Sequence, residues 1–273
     1  MKKFIAVIIL LFALLIFKFY YNNEPTRVLR VGMECDYEPN NWEEKKESAY
    51  NMPLANKPGF YAEGYDLQIA KRAANDMNAK LEVYKIAWND LPKALDEGKI
   101  DAVFSGMIDT SKRREFMMFS APYDVTRTEY TVVVNKACIY VNAKTLSDFE
   151  GAKFIAQKNT QLDDAIDQIP RVIHMTPVET VSEMLDAVIK GEADGTVINF
   201  DTGRSYEAAH NNLKMIRFTE GNGFSLYFNG VCAGVRKGNT KLLKEINDSI
   251  NGLSTRERQK IMDQTIARLW RNL

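Results

Sequence analysis

The sequence predicts an α/β fold built on mostly parallel sheet, on three observations. Short apolar strands alternate with amphipathic helices between residues 63 and 134, the order that builds parallel sheets with right-handed crossovers. Residues 100–104 (IDAVF) form an almost continuous apolar run, as a strand buried on both faces requires. The chain has 273 residues, 45% of them apolar, enough for one large core or two lobes.

Charge and composition exclude several classes. Lys plus Arg number 36, as do Asp plus Glu, and no basic block or aromatic-interleaved patch points to nucleic acid. Cys35, Cys138 and Cys232 are odd in number and widely spaced. They make neither a metal pattern nor a disulfide framework and read as small buried apolar residues. His174 and His210 have no partner spacing for a metal or a catalytic dyad and read as surface residues. No Ser, Cys or His arrangement marks a nucleophile, and no glycine-rich phosphate loop is present. No cofactor is expected.

The chain opens with Lys2 and Lys3, an apolar run over residues 4–17, then Lys18, Phe19, Tyr20 and Tyr21. Fourteen apolar residues suit the core of an export signal better than a full span of roughly 20. No small-x-small cleavage site follows, and no Cys directly follows the run to mark a lipoprotein. Two readings stay open: a cleaved signal, or an anchor over residues 4–21 with Lys18 snorkelling and the tyrosines at the interface. Either way the chain is exported and acts in the periplasm or another extracytoplasmic space. A polar tether follows, so residues 1–27 precede the folded part.

Residues 28–32 read as the first strand, followed by MECDYEPNNW over residues 33–42. The polar insertion 43–62, with Pro53, Pro58 and Gly59, is long for a compact domain and reads as a mobile loop or a cleft rim. Leu67, Ala70, Ala74 and Met77 then share one helical face. Residues 81–86 form a strand. Asn89 can cap a second helix that carries Pro92 in its first turn and ends at Gly98.

In parallel sheets ligands sit outside the carboxyl ends of the strands. Trp88 and Ser105 both lie just past strand ends. Gly106 lets backbone approach a ligand closely, and the amides of the turn Ser105, Gly106, Met107 and the Ser105 hydroxyl can donate to a carboxylate. Arg113 begins a short helix capped by Thr110, and its planar fork suits a bidentate carboxylate bond. Arg114 beside it reads as a solvated charge. Together these residues form a grip for a small zwitterion. Further on, residues 128–135 and 154–156 read as strands. Residues 178–189 read as a helix with Val181, Leu185 and Val188 on one face, ending at Gly191. Helices follow over residues 240–253 and from Ser254, where Glu257 suits the third position of a capping box.

The stretches GYDLQIA (64–70), GKIDAVFSGM (98–107) and FSAPY (119–123) closely resemble the amino-acid-binding proteins of ABC importers, the periplasmic solute-binding family. The resemblance covers residues 28–253. It implies two lobes around a cleft, each a mostly parallel sheet flanked by helices. Lobe I would comprise residues 28–126 and 230–273 and lobe II residues 127–229, with crossings near 123–128 and 227–231. It implies roles as well. Glu34 matches an acidic residue that contacts the ligand's polar side chain or amine. Tyr37 and Trp88 match two aromatics that pack on either side of the ligand. Gln157, Thr160 and Gln161 match a helix start that holds the carboxylate from lobe II. Asn159 replaces a glycine there, and Asn tolerates left-handed geometry. Asn199 stands where the family has the Asp that holds the α-ammonium, so Asp201 or Glu34 is expected to take over that role.

The implied function is capture of an amino acid and its delivery to a membrane permease by a monomer that is not an enzyme. Glu34 with two aromatics leans toward a cationic or polar ligand: arginine, lysine, glutamine or cystine. The alternatives are a dehydratase acting on prephenate or arogenate on the same architecture, and a membrane-anchored sensing receptor.

Overall fold

A computed structural model of the chain describes residues 27–124, 129–225 and 230–271. The export segment and both expected crossings fall wholly or largely outside these residues, as do the lobe boundaries at 126/127 and 229/230.

The strands are β1 (Arg27–Met33), β2 (Asp36–Tyr37), β3 (Asn41–Glu44), β4 (Met52–Pro53), β5 (Tyr61–Glu63), β6 (Ala79–Lys85), β7 (Ala102–Val103), β8 (Met117–Asp124), β9 (Tyr130–Asn135), β10 (Lys153–Phe154), β11 (Ile173–His174), β12 (Gly195–Asn199), β13 (Leu213–Ile216) and β14 (Val231–Arg236). The helices are α1 (Tyr65–Asp76), α2 (Leu91–Asp96), α3 (Gln161–Ile166), α4 (Val181–Lys190), α5 (Phe200–Ala209), α6 (Thr240–Asn251) and α7 (Thr255–Arg271).

Two five-stranded sheets, ordered β6-β1-β7-β14-β8 and β11-β10-β12-β9-β13, form the two lobes. The first carries a core from Leu29 and Val31 through Phe104 and Tyr123 to Ile266, the second a core around Phe149, Phe154 and Val197. Both sheets are mixed. β6, β1 and β7 pair parallel, as do β11, β10 and β12, while β14 and β9 run antiparallel to both neighbours. Parallel order therefore holds except at the one strand in each sheet that directly follows a crossing segment.

The helical face of α1 is as the periodicity requires: Leu67, Ala70 and Ala74 are buried and Met77 packs against the same core. Two local expectations are corrected. Insertion 43–62 is no loose loop; β3, β4 and β5 join β2 in an antiparallel sheet ordered β2-β3-β5-β4, and Leu54 is buried beside it. Asn89 does not cap α2, whose N-cap is Asp90 and makes no side-chain cap bond. Its side chain instead donates to Glu179 Oε2 at 2.6 Å and accepts from Asn159 Nδ2 at 2.8 Å, tying one lobe to the other. His174 is exposed, the surface residue expected. Its ring nitrogens lie 2.8 Å from Asp167 and 2.9 Å from Asp163, stapling α3 to β11. Burial lowers its pKa, but the bonds and charges of the two carboxylates outweigh that and raise it overall.

Of the cysteines, Cys35 and Cys232 are buried, Cys138 is half-buried, and all three are free.

Candidate functional site

Between the lobes lies a small cavity of about 40 Å³. Glu34, Tyr37, Trp88, Ser105, Gly106 and Arg113 line it from the first lobe, and Gln157, Thr160, Gln161 and Asn199 from the second. The chain reaches this point from both sheets because β1, β6 and β7 all end at the same rim, as do β10 and β12.

Arg113 sits in a single 3₁₀ turn whose first amide donates to Thr110 Oγ1 at 3.2 Å. Its guanidinium lies 4.9 Å from the centre of the Trp88 ring. Nη1 donates to the Ile108 carbonyl at 2.8 Å and Nη2 crosses to the Asn159 carbonyl at 3.2 Å. Burial pulls its pKa down to about 10, so it remains a cation at neutral pH with carbonyls as its hydrogen-bond acceptors. Asn159 takes the left-handed conformation, φ 61°, which holds its carbonyl toward Arg113.

Glu34 is 4% exposed. Its backbone amide donates to Ser105 Oγ at 2.9 Å, and its carboxyl accepts from Gln157 Nε2 of the other lobe. Burial pushes the carboxyl up to about 8, with Asp36 adding to the shift and Gln157 opposing it. An ammonium group placed beside it would restore its charge.

Below the cavity Asp66, on the first turn of α1, is fully buried. It accepts from Asn41 Nδ2 at 2.7 Å and Tyr123 Oη at 2.6 Å, and the Gly106 amide supports it. Asn41 Oδ1 in turn accepts from the Cys35 amide at 2.7 Å, where φ is 55°. This network fixes the turn that carries Glu34 and Tyr37. It also redirects one expectation: the close approach at Gly106 is to Tyr37, since a Cβ there would fall 2.8 Å from the ring, and its amide serves Asp66.

Second-lobe residues are likewise engaged. Thr160 caps α3, accepting from Asp163 N at 3.2 Å and donating to the Gln157 carbonyl at 2.7 Å. Asn199 caps α5 through Thr202 N at 2.9 Å, and its amide donates to Tyr37 Oη at 2.6 Å. With the Asn89–Asn159 bond and the Ser182 amide to Asp36 at 3.1 Å, these contacts hold the lobes closed.

Two sequence candidates stand off the cavity. Met107 is turned into the cluster with Leu91 and Met117. Asp201 lies on the first turn of α5, accepts from Arg204 at 2.8 Å and is not among the residues lining the cavity. Four lining residues escaped the sequence reading: Ile108, Tyr130, Leu162 and Val231. Ile108 lies two residues past Gly106 and Leu162 directly follows Gln161, so both were within reach of the motifs. Tyr130 and Val231 begin the strands after the crossings, where no pattern distinguishes a wall residue from core. Among the described residues no group of His, Cys, Asp and Glu could hold a metal ion.

A family model described as bacterial extracellular solute-binding proteins, family 3, matches residues 29–267. The chain is 29% identical over 204 residues to the ABC transporter arginine-binding protein 1 of Escherichia coli, spanning 74% of this chain and 80% of the relative. Over a shorter stretch of 96 residues, 35% of this chain and 31% of the relative, it is 30% identical to a cyclohexadienyl dehydratase of Pseudomonas aeruginosa. Among solved structures, the substrate-binding protein of an amino-acid ABC transporter superposes with a TM-score of 0.71 at 25% identity, covering 87% of this chain and 98% of that one.

Proposed function

The chain belongs to the bacterial extracellular solute-binding proteins, family 3, and from that footing we propose that it captures a free amino acid between its lobes and delivers it to an ABC permease. The observation that carries this reading is Arg113: a cation buried against Trp88, open to the cavity, with backbone carbonyls as its hydrogen-bond acceptors. A ligand carboxylate completes it. The amino group goes to Glu34, and the ligand body lies by Tyr37, Trp88 and Tyr130. Because Gln157, Asn159 and Asn199 reach first-lobe partners in the closed form, closure and ligand contact reinforce each other. The protein acts as an exported monomer, with residues 4–21 serving export or attachment. It is a binder, not an enzyme, and Glu34 serves as a ligand contact.

The test is thermal unfolding of the protein, stripped of carried-over ligand by unfolding and refolding, against each amino acid. A ligand at 100 times its Kd should add about 2.7 kcal/mol of stability. One or a few amino acids should raise the Tm. If none does, while prephenate or arogenate is turned over, the enzyme reading replaces this one.

A further inference from the structure

We propose that the cavity is built for a ligand with one ammonium and one carboxylate, so that it selects a neutral amino acid, glutamine among them, over arginine or lysine. The inference rests on the amino-acid-binding reading above and narrows its ligand by counting charges.

Among the described residues, two charged side chains line the cavity, Glu34 and Arg113. Arg113 answers the carboxylate. Among these residues Glu34 is then the carboxylate that meets a cation. Asn199 offers no substitute, because its Oδ1 is taken by the Thr202 amide and its Nδ2 by Tyr37 Oη. The neighbouring acids are also spoken for. Asp36 accepts from both the amide and hydroxyl of Ser182 and faces a separate cavity with Glu38. Asp66 lies beneath Gly106, bonded to Asn41 and Tyr123. Asp164 is exposed and acts on Arg113 only through its charge.

A second cation in this cavity would therefore be buried without a carboxylate. Leaving a buried charge uncompensated weakens binding by at least about 100-fold. The remaining wall is apolar or neutral: Ile108, Leu162, Val231 and Tyr130. It suits the body of a neutral side chain.

Calorimetric titrations of the refolded protein with glutamine, the other neutral amino acids, arginine and lysine test this, together with Asn199→Asp. Asp caps a helix as Asn does and can accept from Tyr37 Oη, so the variant adds a second carboxylate with little disturbance. At least one neutral amino acid should bind the natural chain at least about 100-fold more tightly than arginine or lysine. Asn199→Asp should narrow that gap by about 10-fold or more, the scale of one added charge-assisted bond. Arginine or lysine binding the natural chain as tightly as every neutral amino acid overturns the proposal. So does an unchanged ratio in a folded Asn199→Asp protein. Binding of no amino acid to either protein overturns the binding reading itself, and this selectivity with it.

Discussion

Arg113→Ala should abolish ligand binding while the protein stays folded. The guanidinium bridges Ile108 and Asn159 across the lobes and stacks on Trp88, and among the described residues it is the cation lining the cavity. Removing one partner of a buried charge pair costs about 3–5 kcal/mol, a loss of more than about 100-fold in affinity. Its own protein partners are two backbone carbonyls, so the unliganded fold should change little. In thermal unfolding, the ligand-induced rise in Tm should disappear and the unliganded Tm should stay close to the natural value. A retained ligand shift would place the carboxylate elsewhere.

Asp66→Ala should be the most destabilising single change near the site, and its cost should depend on pH. The substitution orphans two buried side-chain donors, Asn41 Nδ2 and Tyr123 Oη, and removes an acceptor from the Gly106 amide. Each unsatisfied buried group costs about 1–3 kcal/mol, so about 3 kcal/mol is expected near pH 5. Burial raises the Asp66 pKa from 3.8 to about 7 in the folded protein, against opposing bonds from Tyr123, Asn41 and Gly106. A carboxyl that holds its proton more tightly when folded makes the native state bind more protons than the unfolded chain across that window. Stability then falls as pH rises from about 4 to 7. The variant lacks that slope, so its deficit should shrink as pH rises through 7. Urea midpoints of both proteins at pH 5 and pH 8 decide this, and a deficit that grows with pH would contradict it.

What the sequence disclosed follows from how local each signal is. The face of α1 and the Gly191 stop of α4 were readable because helical periodicity and a terminating glycine act within a few residues, whereas the Thr180 cap that starts α4 was not read. The strands β1 and β6 were readable for the same reason. β7 was predicted over five residues but pairs through only Ala102 and Val103, since its length is set by neighbours distant in sequence. The small sheet of the 43–62 insertion was illegible because its strands have two to four residues and exist only through mutual pairing. The reversal of β9 and β14 depends on how the chain crosses between lobes, which no local pattern encodes.

The site divides the same way. Glu34, Tyr37, Trp88 and Arg113 could be named because charge, aromatic rings and strand-end position are visible in the letters. The work of Asn199 was half visible: Asn is a favoured helix cap, but its bond to Tyr37 spans 162 residues. Asp66 stood within the motif GYDLQIA, yet its support of the Glu34 turn needs Asn41 and Tyr123 brought beside it.

The most direct test of the central claim, a ligand carboxylate held by Arg113, is a pair of calorimetric titrations. One uses the best amino acid from the thermal screen, the other the same compound with its α-carboxylate converted to a carboxamide. The account predicts tight binding of the first and loss of at least about 100-fold for the second, the cost of leaving a buried charge unanswered. Equal binding of the two would contradict it.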